Sequence, residues 1–354
     1  MAKAKSKKDK NIPPFDYNEE VRKLNAEGPK RLYFIWGPED YLSDLYVNEI
    51  RKICVPDGDA DFSYRRFSER DFSAEALIEA IDSVPFMTER TMVEVRGVDL
   101  NKLGEDDVEA VSSALADIPD YCTVVLVEPS EFEPDKRKKI YKKLQPICHE
   151  LCVTTQSNDA MIRWVMKRFA AEGKRIEINT VQRLLFISGE LMNKLIPEIS
   201  KIVSYSKGNI VTVEDVEAVA HHIPESVVFE MTEALGNGET GKAMSMLDEL
   251  LVSKECDEFA VIAILGMQMR KLYAAKLASE NGLGADFLKE DIGIKPDFVA
   301  KKLIVACRRY SLSQLKYAVE LCEETEFRFK STGGDRIELL KECIMKIAVG
   351  GSNV

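Results

Sequence analysis

Histidine is scarce, with three residues in a chain of 354, and this leaves acid–base chemistry near neutral pH few candidates. No apolar run approaches the roughly 20 residues that a membrane-spanning helix needs, so a transmembrane reading is excluded. Positive charge is also in deficit. The 49 Lys and Arg against 60 Asp and Glu give a formal net charge of −11, the wrong sign for a chain that holds nucleic acid by bulk electrostatics. Any DNA contact has to be local or shared with partners. The eight cysteines are scattered, whereas disulfide frameworks are dense and belong to small secreted domains. They read as core thiols in a reducing cytoplasm. Met1 to Lys10 carries Lys3, Lys5, Lys7, Lys8 and Lys10 with no apolar segment behind them, so it is not a secretory signal. A solvated tail is expected there, with a weak phosphate-binding arm as the alternative.

What the sequence does contain is an ordinary globular composition, 45% hydrophobic and 31% charged, at a length that predicts two or three domains. Arg31 to Trp36, Tyr64 to Phe67, Met92 to Val95, Thr123 to Val127 and Leu151 to Thr155 are short β-branched or aromatic runs. Helix-length stretches separate them: Ser43 to Cys54, Ser73 to Val84, Glu105 to Asp117 and Pro134 to Cys148. This alternation predicts a parallel sheet covered by helices. Beyond about Gln156 the strand signal stops and the remainder reads as all-helical, broken at Gly173, Gly208, Pro224, the Gly236 to Gly241 turn, Gly282, Gly284, Gly333 and Gly334. Helix starts are signalled at Thr212, followed by Glu214 and Asp215, and at Ser311, with Gln314 at capping-box spacing. A break at Ile223-Pro224 divides the helical half. The expected divisions are an N-terminal segment 1–29, an α/β core 30–156, a lid-like helical bundle 157–222 and a helical domain 223–354 built around a long helix from Asp257 to Glu280.

Catalytic chemistry is hard to find. The loop after the first strand, where an α/β nucleotide fold would cradle phosphate, reads Gly37-Pro38-Glu39-Asp40-Tyr41-Leu42-Ser43-Asp44. A P-loop starting at Gly37 requires Gly, Lys and Ser or Thr where this chain has Leu42, Ser43 and Asp44. The phosphate-neutralising lysine is missing, and Glu39 and Asp40 add repulsion. The Mg²⁺-binding acid expected after an apolar strand is no better placed: Val95 is followed by Arg96 and Gly97, and Val127 by Glu128 and Pro129. Glu128 is a formal candidate only. Cys148, His149 and Cys152 cluster without a second pair at zinc-ribbon spacing, so no metal site is expected.

One feature asks for a partner. Leu77, Ile81 and Val84 fall at i, i+4 and i+7 and predict an inward stripe on one helix. Pro85 then disfavours helical geometry at Val84 and turns the chain out. Phe86 and Met87 follow, and periodicity leaves Phe86 two places: tucked under the sheet, or offered at a tip to a partner.

The order of several stretches resembles the DNA polymerase III delta subunit family. RLYFIWGPEDYL is similar to that family's degenerate nucleotide loop, and VPFMTERTMVEVR, from Val84 to Arg96, to its helix tip and third strand. The segments Ser188 to Tyr205, Val211 to Leu251 and Phe298 to Asp335 resemble its lid, the junction into its last domain and its collar. The resemblance implies an AAA+ (RecA-like) core without a working ATP site or cofactor, a helical lid and a C-terminal collar. It implies a clamp-loader subunit that binds and opens the sliding clamp without hydrolysing ATP, within the DNA polymerase III holoenzyme. Its partners would be the clamp, the clamp-loader ATPase subunits and delta prime, with primer-template DNA met only in the assembly. Position by position, the family's apolar plug falls on Pro85 and Phe86, with Val84 and Met87 beside them; proline at the first plug position departs from the pattern. Arg328, Lys330 and Arg336 are candidates for DNA or subunit contacts. The rival readings are an active AAA+ ATPase subunit and an unrelated helical adaptor.

Overall fold

A computed structural model describes residues 15–56, 63–86, 88–253, 256–294, 297–331 and 334–350. The lysine-rich N-terminus, Met87 and Gly333 lie outside the described residues. The chain divides into two compact units, one running to Gln156 and including Leu191–Asn193, the other formed by Ser157–Glu190 and Lys194 onward.

The first unit carries five parallel strands: β1 (Leu32–Trp36), β2 (Tyr64–Phe67), β3 (Thr91–Arg96), β4 (Cys122–Val127) and β5 (His149–Cys152). Their order is β2-β3-β4-β1-β5, the parallel sheet that the strand–helix alternation predicts, in keeping with the degenerate AAA+ core that the resemblance implies. Parallel strands covered on both faces read as continuous apolar runs, and every residue of β4 (CTVVLV) is buried. Register places Leu32 beside Val124 and Tyr33 beside His149. The crossover helices are α2 (Asp40–Cys54), α3 (Ala74–Asp82), α4 (Glu105–Ala116) and α5 (Lys139–Leu144). An additional helix, α1 (Tyr17–Glu27), precedes the sheet, and its Glu20 lies 2.9 Å from Nε2 of His149 on β5. Because β5 returns on the far side of β1 from β4, the strand order reverses at β1, and the loop after it opens where ligands of α/β sheets gather.

Three local expectations are corrected. The stripe on α3 holds only Leu77 and Ile81, each 1% exposed; Val84 is 71% exposed. The helix stops at Asp82 and Ser83 is extended, since a residue before proline is pushed out of helical geometry and the chain has begun to unwind earlier still. The last crossover helix shrinks from the expected Pro134 to Cys148 to the six residues Lys139–Leu144. The fifth strand begins at His149 and ends at Cys152, before the apolar run does; Val153 N–H still donates to Trp36 on β1, but its carbonyl accepts from Glu39 N–H in the loop beyond.

The second unit is mainly helical: α6 (Asn158–Ala171), α7 (Ile178–Ser188), α8 (Met192–Tyr205, whose first two residues group with the first unit), α9 (Val213–Val219), α10 (Pro224–Gly236), α11 (Thr240–Ser253), α12 (Glu258–Glu280), α13 (Ala285–Glu290), α14 (Asp297–Ala306), α15 (Leu312–Ser331) and α16 (Arg336–Val349). It is not wholly so: β6 (Arg175–Ile176) and β7 (Ile210–Val211) pair in parallel, two-residue strands too short for a periodic signal. Both capping signals are realised. Thr212 Oγ1 accepts from Asp215 N–H at 3.2 Å while Asp215 Oδ2 accepts from Thr212 N–H at 3.0 Å. Ser311 and Gln314 make the same reciprocal pair at 3.1 and 2.7 Å. Asp257 caps α12 through Ala260 N–H at 2.8 Å, and α12 buries Val261, Ile262, Leu265, Met269 and Leu272 in the unit's core.

Candidate functional site

The tip between α3 and β3 is assembled from local rules. The Ser73 hydroxyl accepts from Ala76 N–H at 3.1 Å and starts α3. Leu77 and Ile81 anchor it in the core, and the proline-broken end leaves Val84 and Phe86 71% and 64% exposed. Pro85, between them, is half-buried. The backbone under these side chains is fastened by hydroxyl groups. Tyr121 Oη donates to the Asp82 carbonyl at 3.3 Å, Ser63 Oγ reaches the Phe86 carbonyl at 3.4 Å and Thr88 Oγ1 at 2.6 Å, and Thr88 donates on to the Arg90 carbonyl at 2.9 Å. Two large apolar side chains are thus presented on a tied loop. Burying each against a partner would contribute roughly 1.5–3 kcal/mol.

The loop after β1 is closed by the chain itself. Gly37 has φ +126°, and a Cβ there would stand 2.4 Å from the Val153 carbonyl oxygen, so only glycine fits. Val153 N–H donates to the Trp36 carbonyl at 2.7 Å, and Glu39 N–H to the Val153 carbonyl at 3.2 Å. Pro38 is exposed, but Glu39 is completely buried, its Oε2 accepting from Met192 N–H at 3.2 Å. Burial pushes the Glu39 carboxyl up to about 7, against the Met192 and Tyr41 N–H groups that favour its charged form. Asp40 accepts from Asn193 Nδ2 at 3.3 Å. Ser43, where a P-loop carries lysine, is buried and donates its hydroxyl to the Glu39 carbonyl at 3.2 Å.

At the end of β3 the charges are paired. Arg96 Nε lies 2.8 Å from Oε1 of Glu94, and its Nη1 bonds Asp44 on α2. Glu94, 4% exposed at its side chain, also accepts from Tyr64 Oη at 2.5 Å and faces Arg66 at 3.6 Å. Glu128, at the end of β4, is buried; burial, and then the charge of Asp99, pushes its carboxyl up to about 8. Its Oε2 makes no hydrogen bond among the described residues. A magnesium–nucleotide does not fit these residues: the phosphate loop is filled, and a guanidinium stands where a metal-binding acid is required. Among the described residues no group of three or more His, Cys, Asp or Glu could hold a metal ion.

A family model described as "DNA polymerase III, delta subunit" matches residues 33–155, and one described as "DNA polymerase III delta subunit, C-terminal domain" matches residues 225–347. The chain belongs to the DNA polymerase III delta subunit family. Among this family's curated members, DNA polymerase III subunit delta of Bacillus subtilis (strain 168) is 22% identical over 323 residues, 89% of this chain and 92% of the relative. The probable DNA polymerase III subunit delta of Aquifex aeolicus (strain VF5) is 27% identical over 190 residues, 53% of this chain and 54% of the relative. The solved structure of the Bacillus subtilis DNA clamp loader delta protein has a TM-score of 0.51 at 19% identity and covers 94% of this chain and 100% of its own. That likeness shows the fold.

Within this delta-family chain the three candidate cations of the last two helices are already engaged. Arg328 Nη1 pairs with Glu342 at 3.2 Å, Lys330 with Glu326 at 2.7 Å, and the Arg336 guanidinium lies 4.5 Å from the Phe259 ring centre. Sequence reasoning missed Ser63 and Thr88, because hydroxyl ties across 25 residues have no local pattern. Asp44 and Arg96 were legible separately, as losses from a P-loop and a metal-binding strand end; their opposite signs were the clue that they meet.

Proposed function

We propose that this clamp loader delta subunit of DNA polymerase III binds and opens the sliding clamp through the α3–β3 tip, without hydrolysing ATP itself. The observation that carries the reading is the exposure of Phe86 and Val84 on either side of Pro85. An aromatic that periodicity allowed to be core is instead outside, at the position the family uses as its plug. Phe86 is the main contact, with Val84 beside it; Pro85 stiffens the turn, and Met87 completes the apolar run in sequence. A closed ring has a small open fraction, and a protein that binds the open interface better shifts the equilibrium by its differential affinity. No bond chemistry is required of this chain.

On the same reading, residues 157–222 form the lid and 223–354 the collar that joins the ATPase subunits and delta prime in the cytoplasm, and primer-template DNA is met only within that assembly. Replacing Phe86 by Ala is expected to weaken binding to the purified clamp by about 2 kcal/mol or more, with the melting temperature unchanged. Titration calorimetry or surface plasmon resonance reads the affinity. Clamp binding equal to the parent's would reject the tip as the plug.

A further inference from the structure

The nucleotide cleft of this core is not merely depleted of its usual residues. Counting the loop from Gly37, Asp44 holds the position at which a P-loop hydroxyl meets Mg²⁺, and Arg96 ends the strand whose last residue in a working site is a metal-binding acid. Glu94 and Arg96 are two residues apart on β3 and share one face of the sheet. Their side chains meet there at 2.8 Å, and the same guanidinium bonds Asp44 from the first turns of α2. At the N-cap of α2, the fully buried Glu39 presents its carboxyl to backbone N–H of Met192 at 3.2 Å, and its Oε1 has no hydrogen-bond partner among the described residues. A carboxyl oxygen beside the start of a helix stands where a phosphate would be held.

We infer that the cleft carries its own substitutes for metal and phosphate: the Arg96 guanidinium stands between Asp44 and Glu94 in the cation's place, and the Glu39 carboxyl takes the phosphate's place at the start of α2. The two halves of the old site are thereby held together by side chains in the way a bound magnesium–nucleotide would hold them. β3 is tied to α2 at its far end while its near end emerges from the tip, so the tip's support does not depend on a ligand. The inference rests on the reading of this core as nucleotide-silent, and equilibrium dialysis of the unaltered chain against labelled ATP tests that reading on its own.

The substitution itself is tested by taking the stand-ins out. In the full-length chain, Arg96→Gln removes the cation that Asp44 and Glu94 share and leaves Glu94 only the more distant Arg66, at 3.6 Å. It is expected to melt lower than the parent and to regain about 3 °C in about 10 mM MgCl₂ relative to NaCl of equal ionic strength. The parent and the Asp44→Ala/Arg96→Gln double variant are expected to show no such gain. Absence of a magnesium-specific gain in Arg96→Gln, or an equal gain in the double variant, overturns the cation half. Glu39→Ala supplies an independent reading should Arg96→Gln not fold: inorganic phosphate is expected to raise its melting temperature by a similar amount over chloride, with no rise in the parent. A folded Glu39→Ala chain indifferent to phosphate overturns the anion half.

Discussion

At the scale of single residues, burial decides what a side chain can do more than its identity does. Glu128 could be read as a metal-binding acid from its place after an apolar strand; in the fold it is buried beside Asp99, and burial raises its carboxyl to about 8. A group whose folded value lies above its unfolded one keeps its proton in the native state, so it costs nothing at pH 4.5 and progressively more as pH climbs toward 8. Glu128→Gln is therefore expected to match the parent's stability near pH 4.5 and to exceed it by about 2 kcal/mol or more at pH 8.5. Urea unfolding midpoints at the two pH values measure this, and a constant difference across the range would show that the carboxyl is solvated. Pairing limits charge in a similar way: Arg328 and Lys330 are engaged by Glu342 and Glu326; the Lys330 partner sits one turn back on the same helix and is legible in sequence, whereas the Arg328 partner lies on another helix and is not.

At the scale of elements, helix starts marked by a capping side chain were legible, and the contacts that govern helix ends were not. Thr212, Ser311 and Asp257 cap the helices they precede, because capping is a matter of neighbouring residues. Gly236 shows the opposite case. In sequence it is a turn residue; in the fold it closes α10, and a Cβ there would lie 2.8 Å from the Tyr310 ring. Alanine is better than glycine in a helix by about 1 kcal/mol, yet Gly236→Ala is expected to destabilise the chain by about 1–2 kcal/mol through that overlap. Gly241, in the first turn of α11 with nothing within 4 Å of its would-be Cβ, serves as the control, and Gly241→Ala should be neutral or stabilising. Thermal melts of the pair decide it; equal effects would mean that the Tyr310 ring gives way freely. The tip belongs at this scale as well: Pro85 announced the turn, but the early stop at Asp82 and the outward throw of Val84 depend on how the loop is tied by Ser63, Thr88 and Tyr121.

At the scale of the whole molecule, the net charge of −11 and the pairing of Arg328 and Lys330 oppose DNA binding by the chain alone. Fluorescence anisotropy with a primed template at about 150 mM salt is expected to show no specific complex until partner subunits are added; tight binding by the isolated chain would point to a local basic surface. The amino-acid sequence alone determined the five-strand α/β core, the helical second half, the absence of a working P-loop and the family, since alternation, spacing and missing residue types are all local or ordered along the chain. The tertiary structure decided that Phe86 is exposed and not tucked under the sheet, and it brought Asp44 to the Glu94–Arg96 pair, 52 residues from Arg96 in sequence. Periodicity reports which face of an element is apolar; only packing reports whether a neighbour is there to cover it.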